Sequence, residues 1–475
     1  MKIEDEVTAI LGDKNKAIID GLEMYNMLFR RDLTRRINNL MFQGYDLKHF
    51  FKFIIPSILA FTILGVYSVV DGFFMGNALG DAGVSAINIV FPAVALTFAL
   101  GSGIGLGGAV IWSIESGRGN LEKAYNSLKV ALILLVLVSI IIAIVPFVWM
   151  DEILDVLGAR GDVATYGRIY LWYMFGAAII QLSGSVFVPY VRNNGGVTYA
   201  TYIMVIGFVM NIVLDYVLIM IFPFGIHGAA IATLLSQAVT IAGCIYYVKK
   251  HQMLKLTKPV NVLKTSLKIM KIGIAPFGIN MSPMVSIFFM NRYSLYYGGA
   301  LAVSTISCIE FILSFVYCVL QGVGAGAQPL MSRFYGERRF TDYAITRRLS
   351  LFTALFLAAV SIVVIFAARD NLGNLFGTSN EAALEIAIAT PVFLVGMFFY
   401  AYSRICSSAF YSTERETLSY VCIYAEPILL IVLLLIIPRF YSLTGVWWCM
   451  VLSQVLTACI SFYLSKKTHV KSDNS

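Results

Sequence analysis

The sequence predicts an all-α integral membrane protein, with twelve transmembrane helices in two pseudo-symmetric six-helix lobes, and three observations predict it. Of 475 residues, 59% are hydrophobic and 13% charged, with a mean hydropathy of +0.80, whereas a soluble domain carries about 25% charged residues. Twelve apolar spans, each long enough to cross a bilayer at ~20 residues, begin near residues 50, 84, 122, 164, 199, 228, 266, 300, 344, 382, 417 and 445 and are joined by short connections. The second half of the chain repeats the first at an offset of about 217 to 220 residues, which doubles a six-span unit.

Residues 1–47 are polar and charged, so no cleavable signal peptide is expected. Within them Ile18, Leu22, Phe29, Leu33, Ile37 and Leu40 recur at roughly helical spacing, with Arg30, Arg31, Arg35 and Arg36 between them. This reads as an amphipathic helix lying on an anionic cytoplasmic membrane face.

The first span, FIIPSILAFTILGVYSVVDGFFMG from Phe53, carries Pro56 near one end and Asp71 near the other. Proline weakens a helix, and an aspartate at membrane depth costs about 2.5 to 3.5 kcal/mol on insertion scales. A helix that bends when an acid titrates needs that pair, although Asp71 alone also fits a helix end at the water interface.

Orientation follows from the basic residues, since the formal net charge of +8 is confined almost entirely to alternate connections rather than to a nucleic-acid-binding patch. The odd-to-even connections hold only Arg160, Arg369 and Arg439, while the even-to-odd ones carry Lys249, Lys250, Lys255, Lys258, Arg338, Arg339, Arg347 and Arg348 among others. The positive-inside bias places both termini in the cytoplasm of a multi-pass cell-membrane protein.

The repeat sets Ile55-Pro56 against Ala275-Pro276, Gly103 and Gly117 against Gly322 and Gly336, and GAAIATLLSQAVT from Gly228 against GVWWCMVLSQVLT from Gly445. Six spans separate the copies, so the halves share one orientation about an axis along the membrane normal. The predicted organisation is an extension over 1–47, an N-terminal lobe over 48–248, a basic linker over 249–271, a C-terminal lobe over 272–465 and a tail over 466–475. Two lobes flanking a central cavity suit alternating access.

GSGIGLGG from Gly101 contains a formal GxGxxG, but no strand precedes it and it lies in an apolar run. Small residues there let helices approach closely, and the counterpart GVGAGAQP from Gly322 assigns a packing or hinge role in each lobe. The seven cysteines all fall in apolar spans without a CxxC pair and read as packing residues, so no metal or cofactor is expected beyond a coupling H+ or Na+.

The fifth span, YATYIMVIGFVMNIVLDYVLIMIF, sets Asn211 and Asp215 one i, i+4 step apart on one face. Asp71 and Asp215 each fall five to seven residues from the outer end of an outward-running span, ~10 Å deep at 1.5 Å per residue. A shared polar pocket at that depth would hold an ion or proton. The second-lobe equivalents are roughly Asn291 and Val432, so fold symmetry does not demand these acids. Thr233 adds a hydroxyl that either completes such a pocket or bonds its own helix backbone. On the fourth span Tyr166, Tyr170, Tyr173, Ala177 and Gln181 follow i, i+4, i+7, i+11 and i+15. Tyr170, Tyr173 and Gln181 are substrate-cavity candidates, with an interfacial aromatic belt as the alternative for the tyrosines. In the second lobe Glu310, Arg404 and Glu426 lie within apolar runs; Arg404 and Glu426 are placed to pair, and Glu310 is a further candidate for a cation.

The stretch from Pro56 through VVDGFFMGNALGDAGVSAINIVFP, the Asn211 to Asp215 face, GIHGAAIAT and the QP-containing eighth span together resemble the multidrug and toxic compound extrusion (MATE) family over roughly residues 48 to 465. The resemblance implies export of hydrophobic organic cations driven by inward flow of H+ or Na+, by a protein that is no enzyme and is expected to be monomeric. It places ion coupling at Asp71, Asn211, Asp215 and Thr233, with Pro56 as the bend. The family branch that uses a Glu in the seventh span finds no acid here in MSPMVSIFFMN. A lipid-linked oligosaccharide flippase of the same broad architecture is the nearest rival; it would line its cavity with Arg or Lys for pyrophosphate, and the first lobe is read as offering acids and only Arg168. A membrane-embedded enzyme finds neither HExxH nor GxSxG.

Overall fold

The computed structural model describes residues 46–222, 224–255, 257–375 and 380–467, with side chains at all of these except 67–84, 300, 374 and 375. The amphipathic extension and the tail beyond Lys467 lie outside the described residues. The chain divides into two units, Met1–His49 and Phe50–Ser475. Of the first, the described part is one turn, where the Asp46 carboxylate accepts the His49 N–H at 3.1 Å as an N-cap.

The described chain is helical, with short connections and no strand. Eleven helices are long and apolar enough to cross a membrane, and a bent pair makes the twelfth. They are α1 (Leu47–Val66), α2 (Ser85–Gly117), α3 (Leu121–Leu157), α4 (Gly161–Gly176 with Ala178–Asn193), α5 (Val197–Ile221) and α6 (Gly225–Lys250), followed by α7 (Val262–Gly299), α8 (Leu301–Gly336), α9 (Phe340–Gly373), α10 (Asn380–Tyr411), α11 (Glu416–Ile436) and α12 (Pro438–Lys467). Most begin within a few residues of the expected positions. The exception is α12, which opens with a short turn from Pro438 and breaks at Ser442 (φ 50°) before the repeat motif begins. Helical backbone also runs from α1 into α2, where a loop was expected. The linker shortens to 251–261, because α6 continues to Lys250 and α7 starts at Val262.

The two lobes repeat one packing scheme. α3 packs on α4, α4 on α5 and α6, and α5 on α6; six spans later α9 packs on α10, α10 on α11 and α12, and α11 on α12. Backbone conformation repeats with it. Gly119 and Arg338, 219 positions apart, are both left-handed (φ 78° and 59°), as are Gly195 and Glu414 (φ 90° and 57°). A left-handed conformation costs a non-glycine residue roughly 1 to 2 kcal/mol, so the second lobe retains these turns without the residue that favours them.

Glycines make the junction between lobes. A Cβ on Gly107 of α2 would sit 2.3 Å from the Ile269 carbonyl oxygen of α7, and one on Gly273 of α7 would sit 2.4 Å from the Gly103 carbonyl. The image contacts join α8 to α1, where a Cβ on Gly322 would meet Ile58 Cα at 2.7 Å. At the helix ends, a Cβ on Gly117 would lie 2.6 Å from the Arg333 carbonyl and one on Gly336 would lie 2.3 Å from that of Ile114. Gly336 follows Gly117, and Arg333 follows Ile114, by the same 219 positions, so the junction obeys the two-fold relation that the repeat encodes. The glycine-rich runs are therefore packing surfaces between lobes.

Candidate functional site

Helix α5 sorts its residues by face. Val209, Met210 and Val213 are exposed where lipid would lie, while Thr201, Gly207, Asn211 and Asp215 form a buried stripe at helical spacing. Asn211 is 1% and Asp215 0% exposed, so the polar pair turns into the lobe as an intramembrane polar pair must. Asp215 ends the α-helical part of the span, and Tyr216–Ile221 continues as a π-helical turn. Such turns widen the helix and recur at functional sites. No residue type in YVLIMI signals it. Gly228, from the GIHGAAIAT run, is what lets α6 reach the turn, since a Cβ there would lie 2.6 Å from the Leu218 carbonyl.

Other candidates lie along the same group of helices. The Thr201 hydroxyl donates to the Pro56 carbonyl at 3.0 Å, so the expected bend in α1 is tied to the same face of α5 that carries Asn211 and Asp215. Tyr170, with Tyr166, packs against the cluster formed by Ile219 of the π-helical turn and Ile226 and Ala229 of α6. Thr233 donates to the Ala229 carbonyl at 3.1 Å, as an intrahelical hydroxyl commonly does. The expected tyrosine stripe is broken, because α4 bends by 56° at Ala177 and puts Gln181 on a separate helical segment from Tyr166, Tyr170 and Tyr173. Tyr173 O–H meets His227 Nδ1 at 3.1 Å, and Gln237 Nε2 donates to Gln181 Oε1 at 2.7 Å, so both candidates face α6. The side chain of Asp71 lies outside the described residues. Glu310 is not part of this group and belongs to the second lobe.

One basic residue was missed. The first lobe holds Arg192 as well as Arg168, which pairs with Asp151 near the opposite end of α4. Arg192 is 6% exposed, its guanidinium 5.2 Å from the Phe61 ring centroid and its Nη2 3.1 Å from the Met204 sulfur. It stands one residue before the α4 terminus, where a basic residue looks like part of the connection that follows.

The lobes are clasped at the face where the basic connections lie. Asn193 Nδ2 donates to Gln328 Oε1 and Gln328 Nε2 donates to Asn193 Oδ1, each at 3.0 Å, joining α4 to α8. Ser113 donates to Asn193 Oδ1 at 2.7 Å, and Gln328 also donates to Ser332 at 3.0 Å. Gln328 is fully buried. Closer to water, Glu414 accepts from Lys268 at 2.6 Å and from Arg118 of the other lobe at 2.8 Å. Burial raises the Glu414 carboxyl, but the hydrogen bonds and charges of Lys268 and Arg118 outweigh it and hold the group below the usual carboxylate range.

Two six-helix lobes that repeat one packing scheme, closed on each other at one face and bearing polar groups on inward helix faces, are the architecture of a membrane transporter built from an internal repeat. The MatE family profile matches residues 56–217 and 272–437, one copy in each lobe, and the chain belongs to that family, the multidrug and toxic compound extrusion transporters. It is 23% identical over 421 residues to the multidrug export protein MepA of Staphylococcus saprophyticus, covering 86% of this chain and 91% of that protein. The MepA of Staphylococcus haemolyticus is 22% identical over 428 residues, covering 88% and 92%. Among solved structures, a MOP-superfamily transporter from Pyrococcus furiosus, described as having a binding pocket of reversed polarity, superposes with a TM-score of 0.83 at 22% identity, covering 88% of this chain and 95% of that one. MATE in a straight conformation gives a TM-score of 0.82 with the same coverage, and in a bent conformation 0.78, covering 94% of that chain.

Proposed function

We propose that this protein is a cation-coupled antiporter that exports hydrophobic organic cations by alternating access, with both termini and the clasped face in the cytoplasm. The observation that carries the reading is the Asn211–Asp215 pair, an amide and a carboxylate fully withdrawn from lipid beside a π-helical turn. A carboxylate at that place is neutralised either by an entering H+ or Na+ or by a bound organic cation, and competition between the two couples them. Asp71 is assigned to the same pocket from the sequence pattern, with Thr233 as a neutral neighbour and Pro56 as the hinge of α1. The relatives are named multidrug export proteins, which supports small organic molecules as cargo.

The clasp supports the conformational half of the reading. A substrate reaching the cavity from the cytoplasm must pass the Asn193–Gln328 pair and the Arg118–Glu414–Lys268 group, so both must separate in each cycle. The test is uptake of an organic cation dye into proteoliposomes under an imposed pH gradient and, separately, an imposed Na+ gradient. Asp215→Asn is expected to abolish gradient-driven uptake under whichever ion serves the wild type. Uptake by that variant at the wild-type rate removes Asp215 from the coupling step.

A further inference from the structure

Arg192 puts a positive charge inside the first lobe, and the cation-coupled reading above gives it no task. Its guanidinium offers five N–H donors and stays protonated in proteins. The groups that meet it are neutral: the Phe61 ring of α1 lies 5.2 Å from it, the Met204 sulfur of α5 takes Nη2 at 3.1 Å, and Nε has no partner. Acids of this lobe answer other bases, Glu115 pairing with Arg118 and Asp151 with Arg168, and among the described residues no carboxylate pairs with Arg192. The buried arginine of the second lobe differs, since Arg404 has Glu426 at 3.4 Å. Position 411, 219 residues after Arg192, is a buried tyrosine, so the repeat does not impose the charge. A buried charge without a counter-charge is costly in a membrane protein. Here a ring face and a thioether hold the guanidinium in place without neutralising it.

The place of the charge is as informative as its isolation. Met204, Asn211 and Asp215 follow i, i+7 and i+11 on α5, which puts them on one helix face. Arg192, touching Met204, therefore stands at the inner end of the face that carries the polar pair, with Met204 ~16 Å along the helix from Asp215 at 1.5 Å per residue. Gln181, Ser185 and Arg192 follow i, i+4 and i+11 on the second segment of α4 and form another such stripe. Gln181 accepts from Gln237 of α6 at 2.7 Å, while Ser185 Oγ and Gln237 Oε1 are buried without a partner. Polar atoms of this kind are what a cation or a water molecule uses inside a lobe. The two stripes converge on Arg192, and the next residue, Asn193, already belongs to the clasp.

We propose that Arg192 is the ion barrier of the first lobe: its fixed charge turns back an H+ or Na+ that has entered from the outer side to Asp215, so that the ion leaves inward only when the lobes part at the clasp. This rests on the cation-coupled reading above and names the group that keeps the coupling tight. Arg192 binds neither ion nor cargo and acts through its charge alone. At an effective dielectric constant of ~20, a unit charge ~8 Å away lowers the passage of a monovalent cation about thirtyfold. An arginine lining a pore excludes protons and cations by the same means.

The test is ion leak in the absence of cargo. The full chain and its variants are reconstituted in proteoliposomes enclosing a pH-sensitive or a Na+-sensitive dye, and a gradient of that ion is imposed with the voltage clamped by potassium and valinomycin. Arg192→Gln is expected to leak at least about tenfold faster than the wild type, and Arg192→Lys, which keeps the charge, to stay within about twofold of it. Adding Asp215→Asn to Arg192→Gln should remove the extra leak. A leak in Arg192→Gln no faster than that of the wild type, an equal leak in Arg192→Lys, or one that survives Asp215→Asn overturns the proposal. Arg192→Met, neutral and longer against Phe61, carries the same expectation as Arg192→Gln, and elution as the same single species as the wild type checks that each is folded. Organic-cation uptake keeps the two readings apart. A wild type driven by neither gradient sinks the antiporter assignment, whereas a driven wild type beside a tight Arg192→Gln sinks the barrier alone.

Discussion

Replacing Gln328 by leucine tests the clasp directly. Asn193 uses its side chain four times, accepting from Ser113 and Gln328 and donating to Gln328 and to the Pro189 carbonyl at 2.9 Å. Gln328→Leu removes the two reciprocal bonds and leaves the other two, so Asn193 keeps one donor and one acceptor contact. A net hydrogen bond is worth about 0.5 to 1.5 kcal/mol, and the pair therefore about 1 to 3 kcal/mol, acting only in the state where the lobes meet at this face. At 1.4 kcal/mol per tenfold, the state separated at this face gains between about fivefold and about a hundredfold in population.

Spin labels at Lys123 and Arg333, whose side chains are 72% and 64% exposed, report the separation across the junction in a background without Cys318 and Cys459. The longer distance should grow in Gln328→Leu, and the cycle with Asn193→Leu should show coupling of at least about 0.5 kcal/mol, as groups in one network do. A population unchanged within twofold, or single effects that add without coupling, means that the amide pair does not hold the lobes together.

The acid limit of the same signal belongs to Glu414. Its folded-state carboxyl lies below the ordinary value, so its contribution is present at neutral pH and is lost only as pH falls below about 4.3 toward the depressed value. The Glu414 contribution to the label distances should be flat from about pH 5.5 to 8, so a transition inside that range belongs to another titrating group, such as the carboxylate proposed to couple the cycle. Gly107→Val should lower the melting temperature in detergent through a cost of about 1 to 3 kcal/mol for forcing volume into a packed junction. Gly184→Ala, which meets nothing within 4 Å, is the matched control, and equal shifts for both would show that Gly107 is not a contact point.

The parts of the fold legible in the sequence are those set by one-dimensional pattern. Span positions follow from apolar runs and the lobes from the repeat, and the pairing of Asn211 with Asp215 follows from helical period alone. Features made by a change of period were not legible. The π-helical turn after Asp215, the bend at Ala177 and the break at Ser442 occur in residues that also fit a plain helix, and packing against α6 or within α12 decides them. Arg192 shows a related failure, since a basic residue near a span end looks solvated until Phe61 and Met204 from two other helices close over it. The clasp was invisible for another reason: Asn193 and Gln328 are 135 residues apart, and neither type marks an interface by itself.

The lobes are alike in backbone and unlike in charge, and that difference has a structural consequence. Gln237 and Gln454 hold the same place in the two copies of the SQ motif. In the first lobe Gln237 meets the neutral Gln181; in the second, Gln454 meets the ionic Glu426. The acid of α5 falls six residues before the end of its span, where the repeat places an apolar residue in α11, whereas Glu426 lies at the middle of α11 and Glu310 nine residues past the start of α8. The glycine contacts that join the lobes, by contrast, are matched on both sides of the axis. Under the alternating access proposed above, matched contacts let the junction pivot without favouring one lobe. The direction of the pivot is then left to the unmatched groups, of which the buried Asn211–Asp215 face is the one tied through Thr201 to α1, a helix that crosses the junction.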